Sequence, residues 1–466
     1  MKIKLIFGNI SKYTSFSILI KSTFIIFSLA IIWSCRKKDK TTEPVTSGNE
    51  DVFQILSKNS FGSIIYPITS VTPSTNVDDL NSISQFLSNK SIVALGESTH
   101  GTSEFYTLRL RMIQHMVTQL NFRVIALETN FSNAQYINDY ILGGPGNAKD
   151  ALQKLYGWVY NNQEFVQIVE WLRAYNDIQS VSNKVTFYGF DAQSADAAAK
   201  RVQTFISAFD PTYLSNYDSI AEHFLNDFQE LASIDQDSLI QIIPLKVANY
   251  QLRWNTLKLY FQTNKSQLIS LSGTTAYELT LRHLEIVQQT FNSFLLASDE
   301  VQTNNFRDNY MADNVDWIQQ FENNKKIILM AHAGHSGMYS DYGITPMGNH
   351  LKQRHPNDYF TIGLFTNGGT VRVVNTSIPT PVLGEFKIDP KPEHYLTQAF
   401  AKGKWSQFFL PMNAVNQNSE LKALFNKPIK FYFIGATTEK VSIEQNLLMG
   451  YDAIVFLEKT SATKPN

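Results

Sequence analysis

Apolar residues along the chain alternate between two patterns. Short unbroken runs at Ser91–Leu95, Arg123–Leu127 and Lys184–Phe190 have the length and continuity of strands buried on both faces. Between the first two, Phe105, Leu108, Met112, Ile113, Met116 and Leu120 recur at helical spacing, which predicts a helix over 102–120. Further helical segments fall at about 131–142 and 163–179. Repeated strand–helix–strand units predict an α/β fold with a mostly parallel central sheet flanked by helices. From about 195 to 323 the strand pattern disappears, which predicts a helical insertion or subdomain over the cleft. Strand signals return at Ile327–Ala331, Tyr359–Phe365, Val371–Val374, Gln407–Leu410, Ile429–Ile434 and Ala453–Leu457.

The first residues have a different pattern. Lys2, Lys4, Lys12 and Lys21 precede an apolar run, Phe24–Trp33, broken only by Ser28 and followed by Ser34 and Cys35. Basic, apolar and small residues in that order predict a signal peptide over 1–35. The run falls short of the roughly 20 residues a membrane span needs. Ile32-Trp33-Ser34-Cys35 is similar to a lipobox, with Trp33 bulkier than usual, so lipidation at Cys35 is expected. An N-terminal anchor that stays attached is the alternative. Either way the protein is expected to be exported and held at a membrane. Residues 36–52 are too polar to pack and are expected to be a disordered tether, leaving 53–460 as the catalytic domain.

Composition narrows the function. Hydrophobic residues make up 43% and charged residues 17%, a globular balance. Forty basic and 41 acidic residues leave a net charge of −1, so nucleic acid is not an expected partner. Cys35 is the one cysteine, which excludes an internal disulfide framework and a cysteine-based zinc site.

In open α/β sheets ligands gather at the carboxyl ends of the strands, so the residues after each run carry the candidate chemistry. The first run leads into Gly96-Glu97-Ser98-Thr99-His100-Gly101, the second into Glu128 and the third into Asp191. The run at 327–331 leads into His332-Ala333-Gly334-His335. Four strands thus deliver carboxylates and imidazoles to one edge, where a buried carboxylate must be paired. Histidine titrates near neutrality and can take a proton from water. Glu97 is placed to orient His100, and arginine is suited to an oxyanion. The following helix supplies Arg109, together with Glu104 as a substrate-binding candidate. Two rival constellations stand beside this one. Glu97, His100, His332 and His335 offer a metal ligand set, and Gly334-His335-Ser336-Gly337-Met338 nearly matches a nucleophile elbow. Each residue also has a structural alternative, as a cap or a satisfied core group.

The motifs resemble, in order, those of the erythromycin esterase family. The resemblance rests on Gly96-Glu97-Ser98-Thr99-His100-Gly101-Thr102-Ser103-Glu104-Phe105, Leu108-Arg109-Leu110-Arg111, Phe122–Glu128 and Gly189-Phe190-Asp191-Ala192-Gln193. It continues through Arg307-Asp308, Met311-Ala312-Asp313-Asn314, Ala331-His332, Met347-Gly348, His350-Leu351 and Tyr359–Gly363. It implies His100 as the general base beside Glu97, with Arg109, Glu128, Arg307 and His332 at other catalytic positions. Asp191, His335 and Met347 join Glu104 as expected substrate contacts. The implied chemistry is hydrolysis of an ester or lactone, macrolides included, by activated water. It needs no covalent serine intermediate and no strictly required metal or other cofactor. The sequence departs from the family at Ala333, where an asparagine is usual. The alternative function is a surface-tethered metal- or ligand-binding protein with a vestigial cleft.

Overall fold

The computed structural model describes residues 48–466 except 75, 156, 234–235, 296–298, 341–342 and 404. The signal peptide, Cys35 and tether residues 36–47 lie outside the described residues. Its strands are β1 (Tyr66–Pro67), β2 (Ile92–Glu97), β3 (Phe122–Asn130), β4 (Thr186–Asp191), β5 (Lys326–His332), β6 (Tyr359–Thr366), β7 (Gly369–Asn375), β8 (Val382–Ile388), β9 (Gln407–Pro411), β10 (Pro428–Tyr432), β11 (Ser442–Asn446) and β12 (Ala453–Leu457). Eight form one sheet in the order β1-β9-β12-β6-β2-β5-β3-β4. The neighbours from β12 to β4 are parallel, whereas β9 runs antiparallel to both β12 and β1. The pairs β7–β8 and β10–β11 are separate antiparallel hairpins.

Alternation along the strands builds two cores. Val93, Leu95, Ile125, Leu127, Ile328 and Met330 face one side of the sheet. There they meet helix α2 (Ser103–Gln119), following α1 (Gly48–Ser57) in the chain, together with α3 (Phe131–Ile141) and α4 (Gln163–Asp177). Ile92, Ala94, Val124, Ala126, Ile327 and Leu329 face the other side. That side is covered from the segment containing α5 (Asp196–Phe209), α6 (Leu214–Ser233), α7 (Gln236–Thr263), α8 (Lys265–Ser272), α9 (Thr274–Leu295) and α10 (Glu300–Phe321). Each fully buried aliphatic or aromatic side chain contributes roughly 1.5–3 kcal/mol, which is what holds these layers together.

The expected tether needs a correction at its end. Helix α1 begins at Gly48, because Val52 and Leu56 are buried against a third core containing Leu396, Phe400 and Phe425. Among the described residues, no helix is long and apolar enough to cross a membrane.

Candidate active site

Register brings the predicted strand ends together. Glu97 pairs with His332 across β2–β5, Leu127 pairs with Met330 across β3–β5, and Asn130 pairs with Asp191 across β3–β4. The ladder shifts between Leu127 and Asn130, where Glu128 sits. Four adjacent strands therefore carry Glu97, His332, Glu128 and Asp191 at or within two residues of their carboxyl ends.

The loop after β2 is laced from several sides. Ser98 N–H donates to the Leu364 carbonyl (3.0 Å), and His100 N–H donates to that of Ile434 (2.8 Å). Ile434 N–H returns to the Ser98 carbonyl (2.8 Å), while Gly101 accepts from the N–H groups of Arg372 (3.0 Å) and Thr463 (2.9 Å). Gly101 has φ +69°, and a Cβ there would lie 1.9 Å from the Arg372 carbonyl oxygen, so glycine is required.

This frame presents His100 to a chain of charges. His100 Nδ1 lies 2.6 Å from Glu97 Oε1, and Arg109 Nη1 donates to Glu97 Oε2 at 2.5 Å. Arg109 Nη2 donates to the carbonyls of Leu95 and Ala331, both at 2.6 Å. Glu97 and Arg109 are wholly buried, and His100 is 8% exposed. A carboxylate on Nδ1 fixes the Nδ1–H tautomer. His100 Nε2 is then an acceptor with no hydrogen-bond partner among the described residues.

Arg307, on α10, organises a second cluster. Its Nη2 donates to Asp191 Oδ2 (2.7 Å) and Glu128 Oε1 (3.0 Å), and its Nε bonds Asp191 as well. The facing carboxylates hold Arg307 firmly charged despite burial. Glu128 Oε2 accepts from the His332 N–H at 2.6 Å. Burial favours a neutral Glu128, but the neighbouring His335 and Arg307 and the His332 N–H outweigh it and hold the carboxyl well below its usual range. His335 Nδ1 bonds Asp308 (2.9 Å), while its Nε2 lies 3.0 Å from Arg307 Nη1 and 3.4 Å from Glu128 Oε1. Burial opposes protonation of His335, yet Asp308 and Glu128 raise its pKa.

His332 joins the clusters. Its ring lies 4.8 Å from that of His100 and meets the edge of Phe433 at 4.4 Å. Its Nδ1 accepts from Gly334 N–H (3.3 Å), which puts the ring proton on Nε2. Burial and the neighbouring His100 push its pKa well down, so the ring is neutral.

Several sequence expectations change. Arg109 was expected at an oxyanion, but both its Nη atoms are committed to Glu97 and two backbone carbonyls. Asp191 is 1% exposed and binds Arg307, so it holds Arg307 in place and offers no exposed carboxylate to a substrate. Glu104 is absent from the cluster, because its carboxylate binds Ser461 N–H (2.7 Å) and Oγ (2.6 Å). Met347 is buried in the core, and what it offers is a backbone N–H to Asp308 (2.7 Å). Asp308 itself was missed, although it adjoins Arg307 in the sequence. Ser336 Oγ is buried against Gly96, where a Cβ would approach it to 2.1 Å, so the near-elbow presents no nucleophile to the cleft. Ala333 packs in the third core. Among the described residues no group of three or more His, Cys, Asp or Glu side chains is arranged to hold a metal ion. Glu97 is instead saturated by Arg109 and His100.

A parallel α/β sheet with carboxylate-oriented imidazoles at its carboxyl edge defines a class of proteins equipped for acid–base chemistry in a polar cleft. The sequence model of the erythromycin esterase family matches residues 117–460. The chain belongs to the erythromycin esterase family. The Escherichia coli erythromycin esterase type II is 25% identical to it over 340 residues, covering 66% of this chain and 76% of that protein. A Bacillus cereus protein of solved structure shares the fold with a TM-score of 0.76 at 21% identity, covering 90% of this chain and 99% of that one. An erythromycin esterase mutant in its open conformation shares it with a TM-score of 0.62 at 19% identity, covering 83% and 95%.

Proposed function

We propose that this protein hydrolyses a carboxylic ester or lactone with a water activated by His100. The observation that carries the reading is the Arg109–Glu97–His100 chain, which ties down Nδ1 and leaves Nε2 to accept a proton. Family membership supports the ester or lactone class.

Water lies against Nε2 and attacks the carbonyl carbon. Its proton passes to His100 as the new C–O bond forms, and Glu97 stabilises the imidazolium. Arg307, which unlike the wholly buried Arg109 has a side chain 16% exposed and keeps a second Nη1 N–H beyond its contact with His335, faces the oxyanion of the tetrahedral intermediate. Collapse breaks the bond to the alkoxy oxygen, which takes the proton from His100 and returns the base to its starting state. His335 gives up no proton in this scheme, because its Nδ1 faces Asp308 and its Nε2 accepts from Arg307 Nη1. His332 instead packs against His100 as a neutral ring and adds no like charge beside the imidazolium. We assign the leader and Cys35 to export and lipid anchoring, which would set this chemistry at a membrane surface.

The test is hydrolysis of p-nitrophenyl butyrate and of a panel of lactones that includes erythromycin. Activity should survive a serine-directed phosphonate and a chelator, and should fall by at least about 10²-fold in His100→Ala. Full turnover by that variant on every substrate cleaved by the wild type would refute the assignment.

A further inference from the structure

Helix α7 carries an unusual outer face. Leu245, Leu252 and Leu259 are 76%, 68% and 61% exposed. Seven-residue spacing at about 100° per residue keeps them within about 40° of one line, and they span about 21 Å. Ala248, Asn255, Thr256 and Gln262 on the same side are exposed and uncharged. The opposite side, with Tyr250, Trp254, Leu257 and Phe261, is buried. On the following α8, Leu271 is 54% exposed. From Ser238 to Tyr277 the sequence has no Asp or Glu, but it includes Lys246, Arg253, Lys258 and Lys265. On the helical wheel Lys246 and Arg253 border the leucine stripe on one side and Lys258 on the other. Lys265 reaches Glu278 at 3.9 Å, an acid that lies beyond the acid-free stretch.

We propose that this face of α7 and α8 docks on an anionic lipid surface. Leucines along an exposed helix with basic residues at the margins match how helices lie in the membrane interface, stems among the acyl chains and charges at the headgroups. A second copy of the chain fits the face less well. Pairing would set Arg253 and Lys258 against basic residues of the same acid-free stretch, and a helical pair needs a second apolar position in each heptad. That second position is filled here by Ala248, Asn255 and Gln262. The lysine-rich, apolar leader upstream of Gly48 points to the same partner. One acyl chain gives only reversible attachment, so a basic amphipathic face supplies the second hold.

The test exploits the fact that Cys35 is the one native cysteine and can be removed. In the full chain carrying Cys35→Ser, Leu252→Cys is labelled with an environment-sensitive fluorophore, and Val181→Cys, at an 87% exposed position, serves as control. With vesicles of phosphatidylglycerol and phosphatidylcholine, the probe at 252 should shift to the blue and be quenched by nitroxide lipid, while the probe at 181 stays unchanged. Each basic residue near the surface is worth about fivefold in partitioning, so Lys258→Ala should raise the lipid required about fivefold. Salt at about 0.5 M should weaken the response, because the Debye length shrinks to a few Å. Adding Leu245→Glu and Leu259→Glu should abolish it. Three results overturn the proposal. The probe at 252 stays wet on anionic vesicles, both probes respond alike, or the blue shift at 252 grows with protein concentration without lipid, which is self-association.

Discussion

Replacing Glu97 with glutamine tests the proposed base directly. Both Glu97 oxygens are occupied, Oε2 by an N–H of Arg109 and Oε1 by His100 Nδ1. Arginine can only donate, so the amide oxygen of Glu97→Gln must stay with Arg109 and its NH2 must face Nδ1. That arrangement makes Nδ1 the acceptor and moves the His100 proton to Nε2, where water would be activated. Restoring the competent tautomer leaves a buried hydrogen bond unmade, at about 2 kcal/mol. The variant also loses the carboxylate charge beside the forming imidazolium, worth about 4 kcal/mol at an effective dielectric of about 20. Together these predict a kcat lower by about four orders of magnitude. The assay is steady-state hydrolysis of p-nitrophenyl butyrate. It is paired with nitrogen-15 NMR of the imidazoles, which reads the tautomer without substrate, and a urea melt confirms folding. A Glu97→Gln enzyme within tenfold of wild type, or one whose His100 keeps Nδ1–H, would refute the reasoning.

Other substitutions test neighbouring links. Arg109→Met strands a buried carboxylate, so urea unfolding should show a loss of about 3–5 kcal/mol, as for other broken buried ion pairs. Asp308→Asn removes the first of the carboxylates that raise the pKa of His335, so an NMR titration of the imidazoles should show His335 losing its proton at lower pH than in the wild type. Gly101→Ala forces a Cβ onto the Arg372 carbonyl at positive φ, and hydrolysis should fall with a destabilisation of about 1–3 kcal/mol or more. His283, pushed down to about 3 by burial, stays neutral in the fold while the unfolded chain protonates near 6.5. The unfolded state therefore binds more protons below that pH, and stability should fall from pH 6.5 toward 3. The slope from this group is up to about 1.4 kcal/mol per pH unit, and His283→Gln should flatten it in urea titrations at each pH.

The parallel sheet was legible because its central strands are buried on both faces and read as unbroken apolar runs. Their carboxyl ends pointed to Glu97, Glu128, Asp191 and His332 for the same reason. The hairpin strands β8 and β11 escaped notice, since Val382–Ile388 and Ser442–Asn446 mix exposed and buried positions without a long apolar run. Side-chain direction was less legible still. Helix α2 buries Arg109, Arg111, Gln114 and His115 along with its apolar residues, so its polar positions gave no sign of which ones face the cleft. Asp308 was hidden differently. It lies about 100° around α10 from Arg307, and only the fold shows that both reach His335.

The lacing of Gly101 by Thr463 has a consequence for how the protein comes into being. Thr102 bridges to Ala462 and Asn162 to Pro465, so the support of the site is closed by residues that lie far later in the chain. Contacts of such sequence separation form slowly. A growing chain that lacks residues 460–465 should therefore carry its proton acceptor on an unfinished support and remain inert.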